Sequence, residues 1–323
     1  MEKYRVLITP RSFAKTDDSP IELLNSSGCE TVRITGDKEE VRRKLFEQLP
    51  VADAVIAGLE EYDRSLLLRA DKLRVISRYG VGYDRIDLKA ASERNIAVTI
   101  TPGANDDSVA DMAMALMLAA ARNVSYIDFC IKNNNEQRPL GVEMWKKTLG
   151  VVGAGRIGKG VVRRAKGFEM KILCYDQYRD DEFAKAHDMQ YVDFDTLLKE
   201  SDFITIHTPL NDQTRNLFAA EQFRRMKKTA VLVNAARGGI VSETDLYEAL
   251  KNGVIGAAAL DATEKEPPYG NPLLSLPNVT VTPHMGASTI DAVSRMGMIA
   301  AQNVLDILFA GKSANSIKMP DRS

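Results

Sequence analysis

A glycine-rich turn in the middle of the chain has the residue types and the spacing to bind a dinucleotide. In LGVVGAGRIGKG, Gly153, Gly155 and Gly158 follow an apolar, strand-like run and open a helix-like segment. The first glycine permits a tight turn, the second lets the backbone approach a pyrophosphate, and the third lets helix and strand pack closely. The helix start would present free N–H groups to the phosphates. We therefore predict cofactor contacts at these glycines and at Arg156 and Ile157.

The strand that follows the glycine turn, KILCYD, ends at a carboxylate, Asp176. A carboxylate at this point of a dinucleotide-binding fold accepts hydrogen bonds from the ribose hydroxyls and repels a 2′-phosphate. Asp176 therefore predicts NAD rather than NADP as the cofactor. Arg179 lies close by in the sequence and would weaken that preference, because a cation there could accommodate the phosphate.

Composition limits the kind of protein and the kind of partner. The chain has 323 residues, enough for two domains, and a net charge of −1 without a dense basic block, which argues against a nucleic-acid partner. Cys29, Cys130 and Cys174 lie far apart and outside any metal-binding spacing, so we expect free thiols, no metal and a reducing compartment. The start, MEKYRVLITP, lacks the apolar segment of a signal peptide. A cytoplasmic protein without membrane contact is the expectation.

Two series of strands alternating with helices would position these residues, which is typical of parallel α/β sheets. The first series contains the β-rich runs 4–9, 54–57, 73–77 and 96–99. The second contains six runs with crossovers, as in a doubly wound dinucleotide-binding sheet: 148–152, 171–175, 203–206, 230–234, 257–260 and 279–282.

Two apolar helices complete the predicted organisation. SVADMAMALMLAAA (108–121) is apolar nearly all round and too short to cross a bilayer, so we expect it to be buried inside the protein or in a subunit interface. The helix predicted over 291–309 has no strands after it and should pack on the N-terminal series. We therefore predict a discontinuous smaller domain, residues 1–101 with 290–323, and a dinucleotide-binding domain, residues 102–289.

Four further stretches complete a pattern that resembles the D-isomer-specific 2-hydroxyacid dehydrogenase family, and most of all its phosphoglycerate dehydrogenase-type members. They are SRYGVGYDRIDL, NAARGGIVSETDLYEAL, LDATEKEPP and TPHMGAST. The resemblance implies two Rossmann-like domains with the active site between them. It makes the smaller domain the substrate-binding one and the larger one the NAD-binding one. It also implies a homodimer formed through the region of the apolar helix 108–121.

The resemblance implies a catalytic trio of Arg237, Glu266 and His284. Reduction of a 2-oxo acid needs a cation for the carboxylate and the polarised carbonyl, which a guanidinium provides with a planar fork. It also needs a proton donor, and histidine donates in reduction and accepts in oxidation. A neighbouring carboxylate orients the imidazole and favours its charged form.

Other residues receive roles from the same resemblance. The loop at Val81 and Gly82 would bind the substrate carboxylate through its N–H groups, and Asn105 would contact the substrate or serve only as a helix-entry turn. The residues assigned to the cofactor side, beyond the glycine turn and Asp176, are His207, Thr208, Pro209, Ala235, Asp261 and Gly286.

Substrate choice stays open in the sequence. A phosphorylated acid would need cations, for which Arg11, Lys15 and Arg78 are candidates, but the GLEE stretch at 58–61 is acidic. A glyoxylate or hydroxypyruvate reductase is therefore an alternative to a D-3-phosphoglycerate dehydrogenase-like enzyme. A dinucleotide-sensing corepressor that acts through protein contacts is the alternative of another class. With the sequence ending at Ser323, we expect no appended regulatory domain.

Overall fold

The chain forms two compact units, Met1–Asn105 with Ala287–Ser323, and Asp106–Gly286. The structure is a computed structural model, and it describes residues 3–320. Both units contain a parallel sheet with helices packed against it, which confirms the predicted α/β class with two Rossmann-like units. The boundaries between the units fall at 105/106 and 286/287.

The first unit is built on a five-stranded parallel sheet with the strand order β2-β1-β3-β4-β5. Its inner strands β3 and β4 are buried along their whole length, because helices cover both faces of the sheet. The strands are β1 Tyr4–Ile8, β2 Cys29–Arg33, β3 Ala54–Ala57, β4 Val75–Arg78 and β5 Ala97–Thr99. The helices between them are α1 Ser19–Ser26, α2 Lys38–Gln48, α3 Arg64–Leu67 and α4 Leu88–Glu93.

The second unit holds seven parallel strands in the order β12-β11-β10-β9-β6-β7-β8. The helices are α5 Asp106–Ala121, α6 Val124–Lys132, α7 Arg156–Ala165, α8 Asp181–Ala186, α9 Phe194–Glu200, α10 Ala220–Arg225 and α11 Glu243–Lys251. The strands are β6 Thr148–Val152, β7 Lys171–Tyr175, β8 Met189–Tyr191, β9 Phe203–Ile206, β10 Val231–Asn234, β11 Ala257–Leu260 and β12 Val279–Val281. From β8 to β11 the order is that of a doubly wound dinucleotide-binding sheet, with β12 added at one edge.

The last helix, α12 Ile290–Ala310, belongs to the first unit. Its buried apolar face packs on β3 and β4. The hydroxyl of Ser77 on β4 donates to the carbonyl oxygen of Ala300 at 3.0 Å, and the hydroxyl of Tyr79 donates to that of Val293 at 3.1 Å. These bonds join the end of β4 to the C-terminal helix.

Two edge strands, β2 and β8, were not predicted from the sequence. β2 reads CETVR and buries only its first residue, and β8 contains three residues. Edge strands are short and polar on their open side, so they carry neither the apolar run nor the clean alternation that marks an inner strand. The second sheet therefore has seven strands where the sequence predicted six.

Helix α5 is the central helix of the second unit. It packs against α7, β10 and β11, and nine of its 16 residues are buried. Among residues 3–320, no single helix has the length and hydropathy to cross a membrane. Only the pair of helices α5 and α6, taken together, has the required length and hydropathy, and the two helices are bent by 64° relative to each other.

Candidate active site

The glycine turn connects β6 to α7 with a geometry that requires glycine at two of its three positions. Gly153 has φ +93°, and a Cβ atom there would lie 2.9 Å from the carbonyl carbon and oxygen of His207. A Cβ atom on Gly158 would overlap the carbonyl oxygen of Gly153. Gly155, at the N-cap of α7, has no atom within 4 Å of its Cβ position. The turn is thus tightly packed on the inside and open at the helix N-terminus.

Asp176 follows β7 and is fixed by the glycine turn itself. Its Oδ2 accepts a hydrogen bond from the backbone N–H of Ala154 at 2.6 Å, and its Oδ1 accepts one from Tyr178 at 2.8 Å. Each carboxylate oxygen keeps a second lone pair for a ligand hydroxyl. Arg179, the residue after Tyr178, places its guanidinium over the ring of Tyr191, 5.4 Å from the ring centroid.

The position of the turn fits a dinucleotide cofactor. Ligands of doubly wound sheets bind outside the carboxyl ends of the strands, where the strand order reverses, and that point lies between β6 and β9. Gly153 follows β6, and His207 follows β9. The open space at Gly155 would admit a pyrophosphate that any side chain would obstruct, and the first-turn N–H groups of α7 face it. Asp176 lies one strand further along the same edge.

An imidazole–carboxylate pair lies beyond the other end of that edge. Nδ1 of His284, after β12, is 2.8 Å from Oε1 of Glu266, in the loop after β11. The side chains are 23% and 17% exposed, so both groups are largely withdrawn from water but can be reached. Because Nδ1 faces Glu266, Nε2 is the ring nitrogen left to exchange a proton with a ligand.

Asp261, the residue after β11, holds the histidine loop. Its Oδ1 accepts hydrogen bonds from the Thr282 hydroxyl at 2.6 Å and the Met285 N–H at 2.7 Å, and its Oδ2 accepts from the Gly286 N–H at 2.7 Å. Its carbonyl oxygen accepts from the N–H of His284 at 2.9 Å. Asp261 is 2% exposed, so these bonds form away from water. The sequence assigned it to the cofactor, and the structure places it beneath the loop of His284.

Arg237 lies in the loop after β10, which starts with Ala235. The buried side chain of Asn234 holds this loop, because its Nδ2 donates to the carbonyl oxygen of Arg237 at 2.8 Å and its Oδ1 accepts from Ala236 at 3.1 Å. A Cβ atom on Gly238 would overlap the backbone carbonyl of Thr263. Only glycine therefore lets the arginine loop approach the segment that leads to Glu266.

Glu243, in the first turn of α11, supports the loop of Glu266 and is not among the residues predicted from the sequence. One of its oxygens accepts from the N–H of Glu264 at 2.6 Å and the other from Nδ2 of Asn271 at 2.6 Å. Burial raises the pKa of Glu243, and the neighbouring Glu264 and Glu266 raise it further. Acidic residues are common at helix starts, so nothing in the sequence indicated that Glu243 forms these hydrogen bonds.

The loop after β9 carries His207, Thr208 and Pro209. Nε2 of His207 is 2.8 Å from the hydroxyl of Thr205, and Nδ1 is buried without a hydrogen-bond partner in the part of the chain described. Burial lowers the pKa of His207 to about 3, so the ring is uncharged near neutral pH. The Thr208 hydroxyl donates to the carbonyl oxygen of Pro209 at 3.0 Å.

Besides Arg237, the residues predicted to bind substrate lie in the first unit. Gly80 has φ +139° in the loop of Val81 and Gly82, and the buried guanidinium of Arg78 donates to the carbonyl oxygens of Tyr79, Gly82 (2.9 Å) and Ala57 (3.3 Å). Arg78 therefore holds this loop from its carbonyl side. Asn105 is buried, and its amide oxygen has no hydrogen-bond partner among residues 3–320.

The structure thus brings most of the predicted residues of the second unit to one edge of its sheet. The strand order places Asp176 toward one end, the glycine turn and His207 near the middle, and Arg237 and the His284–Glu266 pair toward the other end. No group of three or more His, Cys, Asp or Glu side chains within 3–320 is arranged to hold a metal ion.

Comparison with known proteins gives one consistent result. The family described as "D-isomer specific 2-hydroxyacid dehydrogenase, NAD binding domain" matches residues 114–286. A D-3-phosphoglycerate dehydrogenase of Methanocaldococcus jannaschii is 44% identical over 308 residues, 94% of this chain and 58% of the relative. This chain thus spans little more than half of that protein. A glyoxylate reductase of Korarchaeum cryptofilum is 42% identical over 272 residues, 82% of each chain. The crystal structure of the TT0316 protein from Thermus thermophilus superposes with a TM-score of 0.86 at 35% identity, covering 97% of this chain and 100% of that one.

Proposed function

The chain belongs to the D-isomer-specific 2-hydroxyacid dehydrogenase family, and from that membership and its site we propose that it is an NAD-dependent oxidoreductase acting on a small 2-hydroxy or 2-oxo acid. The observation that carries the proposal is the 2.8 Å contact between Nδ1 of His284 and Oε1 of Glu266. A histidine oriented by a carboxylate at the carboxyl ends of parallel strands is the arrangement that acid–base catalysis requires.

His284 moves the proton. In reduction, Nε2–H donates to the carbonyl oxygen of the 2-oxo acid, and in oxidation the neutral Nε2 accepts the proton of the hydroxyl group. Glu266 fixes the ring through Nδ1 and offsets the positive charge that the ring carries as a donor. Arg237 binds the carboxylate and polarises the carbonyl. NAD, when bound, supplies or accepts the hydride.

The second unit would bind the cofactor and provide Arg237 and His284, and the first unit would provide further contacts to the acid. Gly155 and the first turn of α7, with Arg156, Ile157 and Gly158, would receive the pyrophosphate, and Asp176 the ribose hydroxyls. The remaining cofactor-side residues are His207, Thr208, Pro209, Ala235 and Gly286, with Asp261 acting through the histidine loop. In the first unit, the N–H groups at Val81 and Gly82 would bind the substrate carboxylate, and the unpartnered amide oxygen of Asn105 supports a substrate contact there.

A substrate screen tests the proposal directly. Purified protein is mixed with NADH and a panel of 2-oxo acids, or with NAD and D-2-hydroxy acids, while NADH absorbance is followed. Panel members include glyoxylate, hydroxypyruvate and its 3-phosphate, which separate a phosphoglycerate dehydrogenase-like enzyme from a glyoxylate or hydroxypyruvate reductase. Turnover of none of them, with intact dinucleotide binding, would favour a dinucleotide-sensing corepressor instead.

Cofactor choice gives a prediction about Asp176. In Asp176→Asn the amide oxygen can still accept from Ala154, but the negative charge is gone. We expect the ratio of kcat/KM with NAD to kcat/KM with NADP to fall by roughly 10- to 100-fold. The reason is that the variant no longer repels the 2′-phosphate of NADP with a negative charge, an effect that solvent screens only in part. Steady-state kinetics with both cofactors measure the ratio.

Asp181→Asn is the matched control for this prediction, because it removes the same charge from an exposed position in the first turn of α8. It should leave the cofactor ratio within a factor of about two of the unmodified protein. A wild-type preference for NADP would contradict the assignment and point to Arg179 as the residue that governs the choice.

Exposed apolar side chains of the second unit support a homodimer with the dinucleotide-binding units in contact, in a protein that we expect to be cytoplasmic. Phe129 (64% exposed) and Ile131 project from α6, and Leu140 (98% exposed) and Trp145 follow it. The four side chains lie close together in the chain, and a large exposed apolar patch usually marks an interface. Light scattering at micromolar protein should give twice the 35.7 kDa chain mass. Phe129→Glu should lower that mass, whereas Tyr178→Glu, at another exposed aromatic, should not. A wild-type mass near that of one chain would rule out the dimer.

A further inference from the structure

The strand order gives the sheet of the first unit a switch point of its own at the ends of β1 and β3. In the order β2-β1-β3-β4-β5 the chain changes direction between these strands. Open parallel sheets of this order bind their ligands at that switch point, outside the carboxyl ends of the strands. Thr9 directly follows β1, and Gly58 directly follows β3. Glu60 comes two residues later.

A carboxylate is fixed at this switch point. The N–H of Gly58 donates to the hydroxyl oxygen of Thr9 at 2.8 Å, and that hydroxyl donates to Oε2 of Glu60 at 2.7 Å. The Glu60 side chain folds back over the strand end, since a Cβ atom on Gly58 would lie 2.9 Å from both of its carboxylate oxygens. Within residues 3–320, no hydrogen bond to Oε1 of Glu60 is present. This oxygen is an open acceptor.

The cations near the same sheet edge are mostly engaged elsewhere. The guanidinium of Arg11 donates to the carbonyl oxygen of Gly36 at 2.7 Å, and that of Arg78 donates to backbone carbonyl oxygens of its own loop and of β3. Lys15 lies on the exposed turn after β1. Glu60, by contrast, is held at the switch point itself by its hydrogen bond from Thr9.

We infer that Glu60 determines substrate specificity, selecting an acid with a neutral hydroxyl group on its third carbon and rejecting one with a phosphate there. The inference rests on the proposed function, in which the loop after β4 binds the substrate carboxylate. β3 and β4 are neighbouring parallel strands, so the loops that follow them, with Glu60 in one and Val81 and Gly82 in the other, leave the same edge of the sheet side by side. The hydroxyl group would donate to Oε1, and a phosphate would be repelled.

The test compares hydroxypyruvate with its 3-phosphate, which differ only in that group. The wild-type enzyme should have the higher kcat/KM for hydroxypyruvate. In Glu60→Gln the ratio of the two kcat/KM values should fall by roughly 10- to 100-fold, mainly through a lower KM for the phosphate ester, because one like charge is removed at short range. Glyoxylate, which has no third carbon, provides the reference substrate for each variant.

Glu61→Gln is the control, because it removes the same charge at the next residue in the chain. The side chain of Glu61 is exposed and lies 3.8 Å from the ammonium group of Lys38. It should leave the ratio unchanged. Wild-type preference for the phosphate ester, or the same ratio in Glu60→Gln as in wild type, would overturn the inference. If no 2-oxo acid is turned over, the proposed function fails, and calorimetric binding of the two acids then tests Glu60 alone. Equal affinities in wild type and Glu60→Gln would overturn it.

Discussion

Replacement of His284 by alanine is expected to lower kcat by roughly 10²- to 10⁴-fold, the usual effect of losing an acid–base group. The imidazole is oriented by Glu266 through Nδ1, so Nε2 is the atom that would exchange the proton. No other histidine of the second unit can replace it. Burial lowers the pKa of His207 to about 3, and His187 stacks on Phe183 at a ring distance of 4.2 Å, beyond the end of α8. Single-turnover and steady-state rates of NADH consumption measure the loss.

Cofactor binding separates this effect from damage to the fold. The affinity for NADH, followed by fluorescence titration, should change little in His284→Ala, because the ring serves the acid and not the dinucleotide. Glu266→Gln should reduce kcat less, since an amide oxygen can still accept from Nδ1 but no charge offsets the imidazolium. His187→Ala is the matched control and should behave as wild type. Near-normal turnover in His284→Ala would remove the basis of the proposed mechanism.

A local sequence signal was sufficient to locate the glycine turn, and the order of elements led to the prediction that the C-terminal helix packs on the first sheet. Gly153, Gly155 and Gly158 have a spacing whose physical reasons are local, namely a tight turn, an open approach and close helix–strand packing. The C-terminal helix is amphipathic and no strands follow it in the sequence. Its apolar face was therefore expected to pack on the sheet formed by the N-terminal strands. The first expectation depended on a pattern within about 20 residues, whereas the second depended on the order of elements along the whole chain.

The supports of the reacting groups could not be predicted in the same way. Asp261 holds the loop of His284, and Glu243 holds the loop of Glu266, through contacts between residues 21 to 28 positions apart. Each contact is set by where two strand ends and a helix start meet, which depends on the order of strands in the sheet. A carboxylate after a strand or at a helix start is compatible with many partners, so its sequence position alone does not name one.

The strand order also decides what a strand-end residue is near. Thr9 and Glu60 are 51 positions apart and looked unrelated in the sequence. They meet because β1 and β3 are neighbours, although β2 comes between them in the chain. From the sequence alone, the acidic stretch at 58–61 is a weak argument against a phosphorylated substrate. The strand pairing makes the argument stronger, because it places the carboxylate of Glu60 at the switch point.

Arg237→Ala should raise KM for the 2-oxo acid as well as lower kcat, so that kcat/KM falls by roughly 10²- to 10³-fold, the cost of removing one partner of a desolvated charge pair. The guanidinium would hold the carboxylate in the ground state and the polarised carbonyl in the transition state, and loss of both functions affects both constants. Asn234 fixes the backbone of the loop independently of the arginine side chain, so the variant should fold normally.

Arg237→Lys distinguishes charge from geometry at this position. An ammonium group keeps the charge but cannot form two parallel hydrogen bonds to a carboxylate, so its kcat/KM should lie between those of wild type and Arg237→Ala. Arg224→Ala, on the exposed side of α10, is the control for loss of one positive charge. If Arg237→Ala lowered kcat with KM unchanged, the carboxylate would be bound elsewhere, and the N–H groups of the loop at Val81 and Gly82 would then be its principal anchor.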